Sequence, residues 1–588
     1  MPVFRLRKLG QDNKVFKMNH YLYIIFRRFD SICNISKNRF SKILLRNINL
    51  NLLITSLVLN SFFFILLLIF VTPVYRSNDD IILNLTSAGF FGNGNTEFLL
   101  FGNIILGKLL KLFYGISPQY NWYLLFLMFT QFISHIVIVY YLLKANNKYF
   151  TIFIYLCLFF IFSVNLFTEI NFSGSSLIVL SSALVIIFSI LNKKRTNFLD
   201  YVLLFFLFTI SILIRKDTFY IYCFIFLLFP ILYLNRWKTI LFIFSISFIS
   251  FVFVYSYNDS YYKKKDPLQL EYRKAGRIMI DGIVKPTIPE LSKLGWDKED
   301  YEIYASFKGI DNIFYSKSSV ISLSKEISYK IDYKKILFAP YSLVLYIIGD
   351  IYYYSTGLIL ILILFYLMRK TLRFFFLINS IWVMIFFILG IIAVHYRQYV
   401  YYVILFYLTT IGIFYAIQRD NSRRLQIALR EKINYVTVLL VILIIISLTN
   451  IVHNNLTKRN SVYAGYDNKA IELMNSDKKF LIVGQESDYF FGKWSIFKSI
   501  KNNSDDRLKE RIVPLGWFIN SMQFESIING SVIQKLISGN IYFLGKDDQL
   551  FDNLERFIFK HYSIMVSFEE INDYKYSKVY KLVNQNIK

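Results

Sequence analysis

Cysteine is scarce, with three in 588 residues. Cys157 and Cys223 fall within apolar runs and Cys33 within a basic N-terminal stretch, so the sequence suggests neither a disulfide framework nor a zinc site. No internal repeat and no linker of low complexity interrupts the chain. The first 46 residues carry many Lys and Arg, yet lack the short apolar core and small-residue cleavage site of a signal peptide, so they read as a tail. Negative charge is also in short supply, with 39 acidic against 66 basic residues and a formal charge of +27. In a soluble protein that excess would point to nucleic acid. A membrane chain needs Lys and Arg in its cytoplasmic loops for orientation, so no nucleic-acid partner follows here. What the chain has in abundance is apolar residues, 55% of the total, with 19% aromatic and a mean hydropathy of +0.45. That is too apolar, over too many long windows, for one water-soluble core. The usage of Lys, Asn, Ile and Phe is that of an AT-rich, bacterial genome.

Apolar runs at 49–71, 121–143, 149–166, 176–192, 198–214, 218–235, 239–255, 351–368, 374–394, 399–417 and 434–450 predict a polytopic α-helical membrane protein of about 11 transmembrane helices. The basic tail before the first run places the N-terminus in the cytoplasm and SNDD, residues 77–80, outside. The remaining loops alternate accordingly. KANNK (144–148), KKR (193–195), NRWK (235–238), RKTLR (369–373) and the basic stretch 418–432 fall on the inside and are all net basic. The run 98–116 carries Lys108 and Lys111 on an amphipathic pattern, with Gly102 and Gly107 allowing close packing. It reads as a helix lying on the outer membrane surface, since a span there would invert every later loop.

The resulting organisation is a cytoplasmic tail (1–48), a first membrane module (49–255) with its first outer loop at 72–120, and an extracytoplasmic helical insert (256–350). A second membrane module (351–450) and a small extracytoplasmic α/β domain (451–588) follow. In that last domain strand-like KFLIVG, GNIYFLG, YSIMVSF and KVYKLV alternate with helix-like segments. Asp297 to Asp300 read as a helix start in the insert, and Asp547 and Asp548 as caps in the last domain. The protein is thus expected in the cell membrane as a multi-pass chain with its C-terminus outside.

Ionisable residues in or beside spans are functional candidates, and their depth is informative. His135, with Gln131 one turn before it, is the main one at mid-membrane and reads as an interhelical hydrogen bonder. The others collect at span ends on one side: Asp79 and Asp80, Glu169, the triplet Arg215, Lys216 and Asp217, and His395 with Arg397. Carboxylates facing cations at the outer mouth of a bundle can bind a phosphate-bearing amphiphile and activate a nearby hydroxyl. One carboxylate takes the proton, while the cations stabilise charge growing on a departing phosphate. Trp122 and Tyr123 fit an interfacial aromatic belt.

A basic cytoplasmic tail, one span, Asn78-Asp79-Asp80 at the start of the first outer loop, a surface helix in that loop, a many-span bundle and an outer C-terminal domain together resemble the GT-C superfamily of membrane glycosyltransferases. The motif match covers about residues 72–123. The resemblance implies a polyprenyl-phosphate-linked sugar donor and a glycan or lipid-linked acceptor outside the cytoplasm. It also implies inversion at the anomeric carbon and an acidic first-loop residue, here Asp79 or Asp80, at the catalytic centre. Some members use a divalent cation (Mg2+ or Mn2+) and others none; a cation here would have Asp79 and Asp80 as ligands. Asn78, Glu169, Arg215, Lys216, Asp217, His395 and Arg397 are the substrate-binding candidates, on chemistry and side alone. Two other readings stand beside this one. They are a repeat-unit polymerase or ligase of surface polysaccharide and a lipid-linked sugar flippase or transporter, although transporter sites usually lie at the midplane between repeats.

Overall fold

The computed structural model describes residues 49–327 with short interruptions, positions 445 and 449, and parts of 479–585. The predicted spans at 351–368, 374–394 and 399–417, nearly all of 434–450, and both His395 and Arg397 lie outside the described residues.

Asn49 caps the first helix, α1 (Leu50–Phe70), by accepting from the Leu52 amide. Beyond it come a two-residue strand β1 (Val74–Tyr75), helix α2 (Asn78–Ser87), helix α3 (Ile104–Ile116) and the long α4 (Trp122–Ala145). A π-helical turn, Phe159–Ser163, runs into α5 (Val164–Thr168), strand β2 (Glu169–Ile170) and α6 (Phe172–Asn192). Helices α7 (Phe198–Ile214), α8 (Thr218–Phe226) and α9 (Trp237–Lys265) complete the described bundle. Four of these, α1, α4, α6 and α9, are long and apolar enough to cross a membrane, and α7 is a shorter apolar helix. The fold is therefore mostly helical and of the kind that a bilayer accommodates. Along α6 every residue from Phe172 to Leu191 is buried, which makes it the centre of the bundle. By contrast α1 and α9 turn rows of Ile, Leu, Val and Phe outward, as lipid-facing helices do.

The run 98–116 does not cross the bundle. Its helix α3 has 13 residues, about 20 Å at 1.5 Å per residue, too short for the hydrocarbon layer. It buries Ile104, Leu106, Leu110 and Tyr114 on one side and exposes Leu112 and Ile116 on the other. Asn103 caps it, with its Oδ1 accepting from the Ile105 amide at 2.9 Å. The same asparagine donates to the Val254 carbonyl of α9 at 3.3 Å. Lys108 reaches the Tyr257 hydroxyl at 2.7 Å, so the lysine lies along α9.

One end of the bundle gathers the elements around α2. There β1 pairs in parallel with β2, Val74 opposite Glu169 and Tyr75 opposite Ile170. The Asn103 amide donates to the Leu213 carbonyl at the end of α7. Helix α2 has two buried faces. Leu83 belongs to the bundle core, whereas Ile81, Ile82 and Leu85 belong to a second core formed with the insert and the C-terminal residues.

The insert contributes α10 (Pro267–Ile280), α11 (Ile288–Ser292), α12 (Lys298–Phe307) and α13 (Lys317–Glu326). Asp297 and Asp300 cap α12 reciprocally, each carboxylate accepting from the other's amide at 2.9 Å, as the acidic helix start predicts. The described C-terminal residues supply β3 (Lys479–Ile482), β4 (Ile512–Pro514), α14 (Val532–Ile537), β5 (Ile541–Gly545), α15 (Asp548–Tyr562), β6 (Val566–Tyr574) and β7 (Ser577–Asn584). The strands form one mixed sheet in the order β4-β3-β5-β7-β6, parallel through the first three and antiparallel beyond. Phe551, Leu554, Phe557 and Ile558 are buried on the side of α15 that meets the second core.

Candidate functional site

Residues 77–80 form the first turn of α2, and the structure separates the two aspartates. Successive helical residues point about 100° apart, so Asp80 is wholly buried while Asp79 is half-buried. Three donors hold the Asp80 carboxylate. The Ser77 hydroxyl donates to Oδ2 at 2.6 Å, and the Tyr123 hydroxyl and the Phe172 amide both donate to Oδ1 at 2.8 Å. One side chain thus ties α2 to the starts of α4 and α6. Burial raises its pKa to about 7 despite these hydrogen bonds, and the nearby Asp79 charge adds to the rise.

Around this carboxylate runs a buried polar network. Asn121 donates to the Tyr75 hydroxyl at 2.9 Å, and its Oδ1 accepts from the Leu124 amide at 3.0 Å. The Tyr114 hydroxyl of α3 donates to Asn84 Oδ1 of α2 at 3.1 Å. Burial pushes the Tyr75 phenol well above its ordinary value, so it stays neutral. Sequence reasoning missed Tyr75, Asn84, Tyr114 and Asn121 altogether. Tyr123 is corrected: it is 1% exposed and bonded to Asp80, not a belt residue at the lipid boundary. Trp122 is only half-buried, and its indole donates to the Ser117 carbonyl at 2.7 Å. The available sequence signal is the density of Asn and Tyr between the acidic pair and α4, on both flanks of α3.

The remaining candidates divide. Asn78 opens α2, and its side chain lies outside the described ones. Glu169 is bridged to Arg76 at 3.0 Å, with side chains 7% and 17% exposed. It is therefore a partner in the β1–β2 junction rather than a group open to substrate. Arg76, directly before SNDD, is a cation that sequence reasoning passed over. Arg215 follows α7; its guanidinium donates to the Ser173 hydroxyl and lies 5.2 Å from the Phe172 ring. Asp80 and Arg215 thus grip adjacent residues of α6, Phe172 by its amide and Ser173 by its hydroxyl. Asp217 lies 3.4 Å from Arg215, both about a third exposed. Lys216 is exposed, with its ammonium 6.0 Å from the Tyr255 ring.

His135 and Gln131 act between elements, as the sequence predicts. His135 Nδ1 meets the Gln131 carbonyl at 2.7 Å and its Nε2 meets the Ser163 hydroxyl of the π turn at 2.6 Å. The Gln131 amide donates to the Ser175 hydroxyl of α6 at 2.9 Å.

Among the described residues no group of three or more His, Cys, Asp or Glu side chains is placed to share a metal ion. The fit of a divalent cation to the aspartate pair is poor on geometry. Asp80 is fully enclosed with donors on both oxygens, which leaves Asp79 alone to offer a carboxylate to a cation. What the site offers chemically is one partly accessible carboxylate, a buried one that locks its helix in place, and two cations after α7, Lys216 and an Arg215 paired with Asp217, while Arg76 is committed to Glu169. No protein-family model, no curated protein and no solved structure matches the chain, so its function must be inferred from these residues and their geometry.

Proposed function

We propose that the chain is an integral membrane glycosyltransferase of GT-C type that moves a sugar from a polyprenyl-phosphate donor to an extracytoplasmic acceptor in cell-surface glycan assembly. The full architecture in this reading has about 11 spans, with α2, α3, the insert and the C-terminal sheet outside the cytoplasm. The observation that carries it is the division of the first-loop aspartates into a buried anchor and a half-buried neighbour, at the bundle end that also holds Arg215 and Lys216.

In the reaction, Asp79 accepts the proton of the acceptor hydroxyl as its oxygen bonds to the anomeric carbon from the face opposite the phosphate. The bond from that carbon to the phosphate oxygen breaks, and the polyprenyl phosphate leaves with the electron pair. Lys216 and Arg215 stabilise the departing charge. Asp80 does not touch substrate; it positions the helix that carries Asp79. General-base catalysis contributes typically about 10²- to 10⁴-fold, so Asp79→Asn should slow transfer by about that factor with the chain still folded. The test incubates membranes holding the full chain with labelled polyprenyl-phosphate sugars and follows the label into product. Undiminished transfer by Asp79→Asn would remove that residue as the base. Absence of label transfer by the unaltered chain, together with donor crossing the membrane intact, would favour a flippase.

A further inference from the structure

Helix α10 carries a second polar pair on which the aspartate site does not draw. Gln269 is 2% exposed, and neither its amide oxygen nor its amide nitrogen has a hydrogen-bond partner among the described residues. One turn later Arg273 is half-buried, and its Nε likewise lacks a partner. Residues four apart share a helix face, so the two unsatisfied groups are neighbours. The Arg273 guanidinium lies 4.9 Å from the ring of Tyr262. That ring is itself fixed, because its hydroxyl donates to the Leu99 carbonyl at 3.3 Å and Phe98 packs edge-on at 5.5 Å. The nearby carboxylates are committed elsewhere. Asp266 is bridged to Lys317 at 2.8 Å, and Glu97 to Lys111 at 2.6 Å. Tyr272 and Ala275 of α10 belong to the same apolar core as Ile81 and Ile82 of α2.

We propose that Gln269 and Arg273 form a binding site for a carboxylate-bearing sugar, such as a uronic acid. The Nε edge of an arginine presents two parallel N–H groups that match the two oxygens of a planar carboxylate. The Gln269 amide offers one donor face and one acceptor to a hydroxyl on the adjoining ring carbon. Lys317 is already paired with Asp266, so the cation that meets the ligand is the Arg273 guanidinium, whose paired N–H edge fits a planar carboxylate better than a tetrahedral phosphate. Polar groups buried without partners among the described residues are a cost to the fold that a ligand satisfying them would offset. Entry requires the first turn of α10 to yield, because Gln269 is closed off while Arg273 retains access. The sugar that carries the carboxylate rests on the transfer reading, whereas the carboxylate itself is argued from Arg273 and Gln269 alone.

Calorimetric titration of the full chain in detergent, with no donor present, tests it using glucuronate, glucose and inorganic phosphate as probes. Glucuronate should bind, with glucose and phosphate each at least 10-fold weaker. Arg273→Lys keeps the charge but loses the paired N–H edge and should weaken glucuronate at least 10-fold. Gln269→Leu removes an unsatisfied group from the interior, so it should raise the unfolding temperature while weakening glucuronate by a similar factor. That opposition of stability and binding is not expected of a merely structural glutamine. Glucuronate binding unchanged in both variants, or phosphate binding more tightly than glucuronate in the unaltered chain, would overturn the assignment, as would no glucuronate binding at all.

Discussion

Asp80 is where burial and charge are most directly opposed. Its pKa of about 7 means that the folded chain holds this proton more tightly than a solvated aspartate does. Folding therefore gains from protonation. The contribution is complete at pH values below the ordinary carboxylate range and is lost as pH rises through about 7. At about 1.4 kcal/mol per pH unit it is on the order of 4 kcal/mol. Asn fits the same hydrogen bonds, its Oδ1 accepting from Tyr123 and Phe172 and its amide donating to the Ser77 oxygen. Asp80→Asn should thus lose much of the fall in unfolding temperature that the unaltered chain shows between pH 5 and 8. Thermal melts in detergent across the range decide it. Asp80→Ala should melt lower at every pH, because it strands the Phe172 amide and the Tyr123 hydroxyl, at about 1–3 kcal/mol each. The acidic pair stands out in the sequence as a candidate, next to the first apolar run. Which member anchors and which stays partly open is not legible there, because that depends on Tyr123 and Phe172, 43 and 92 positions away.

At the scale of elements, α3 shows how far periodicity reaches. Its apolar rows, its two lysines and its 13-residue length suffice to lay it along the bundle end instead of through it. Its glycines also carry meaning, but only contact distances reveal which. A Cβ on Gly107 would come within 1.9 Å of the Glu97 carbonyl oxygen, a backbone atom that cannot swing away. One on Gly115 would meet nothing within 4 Å. Gly107→Ala should destabilise the chain by about 1–3 kcal/mol through overpacking. It should also displace Glu97, whose carboxylate accepts from Lys111 at 2.6 Å and Tyr261 at 2.8 Å. Gly115→Ala should gain up to about 1 kcal/mol from helix propensity. A melting comparison of the two variants in one detergent checks the sign of each. Equal shifts would mean that α3 is not held against the 97–99 stretch. The π turn at Phe159–Ser163 was not legible, since local pattern there is uniformly apolar; among its contacts is the bond from His135 to Ser163.

For the whole molecule, the two cores meet in α2, so the insert and the C-terminal residues must be held firmly for the first-turn geometry to persist. The insert and the C-terminal helix are joined by a compact ionic clasp. Asp300, with a side chain 1% exposed, is bonded to Lys560 at 2.8 Å and to His561 at 2.7 Å. Lys560 also reaches Asp297 at 2.5 Å. Asn312 bridges the same pair of regions, donating to the Gly530 carbonyl at 3.1 Å and accepting from the Val532 amide at 3.2 Å. Burial opposes ionisation of Asp297, yet Lys560 and the Asp300 amide hold its pKa below the ordinary value. Its contribution is therefore present at neutral pH and is lost as pH falls below the carboxylate range. Breaking a fully buried pair costs about 3–5 kcal/mol. Solvent reaches Lys560, whose side chain is 37% exposed, so Asp300→Ala should cost less, about 2 kcal/mol. The loss should appear as faster proteolysis at the insert and at α15 together, because neither keeps its partner. Lys560→Met keeps the packing of the aliphatic stem and removes the charge, and should open the same two regions to a smaller extent. Cleavage confined to one of them would show that insert and C-terminal helix are stable separately, and that the geometry of α2 does not depend on their union.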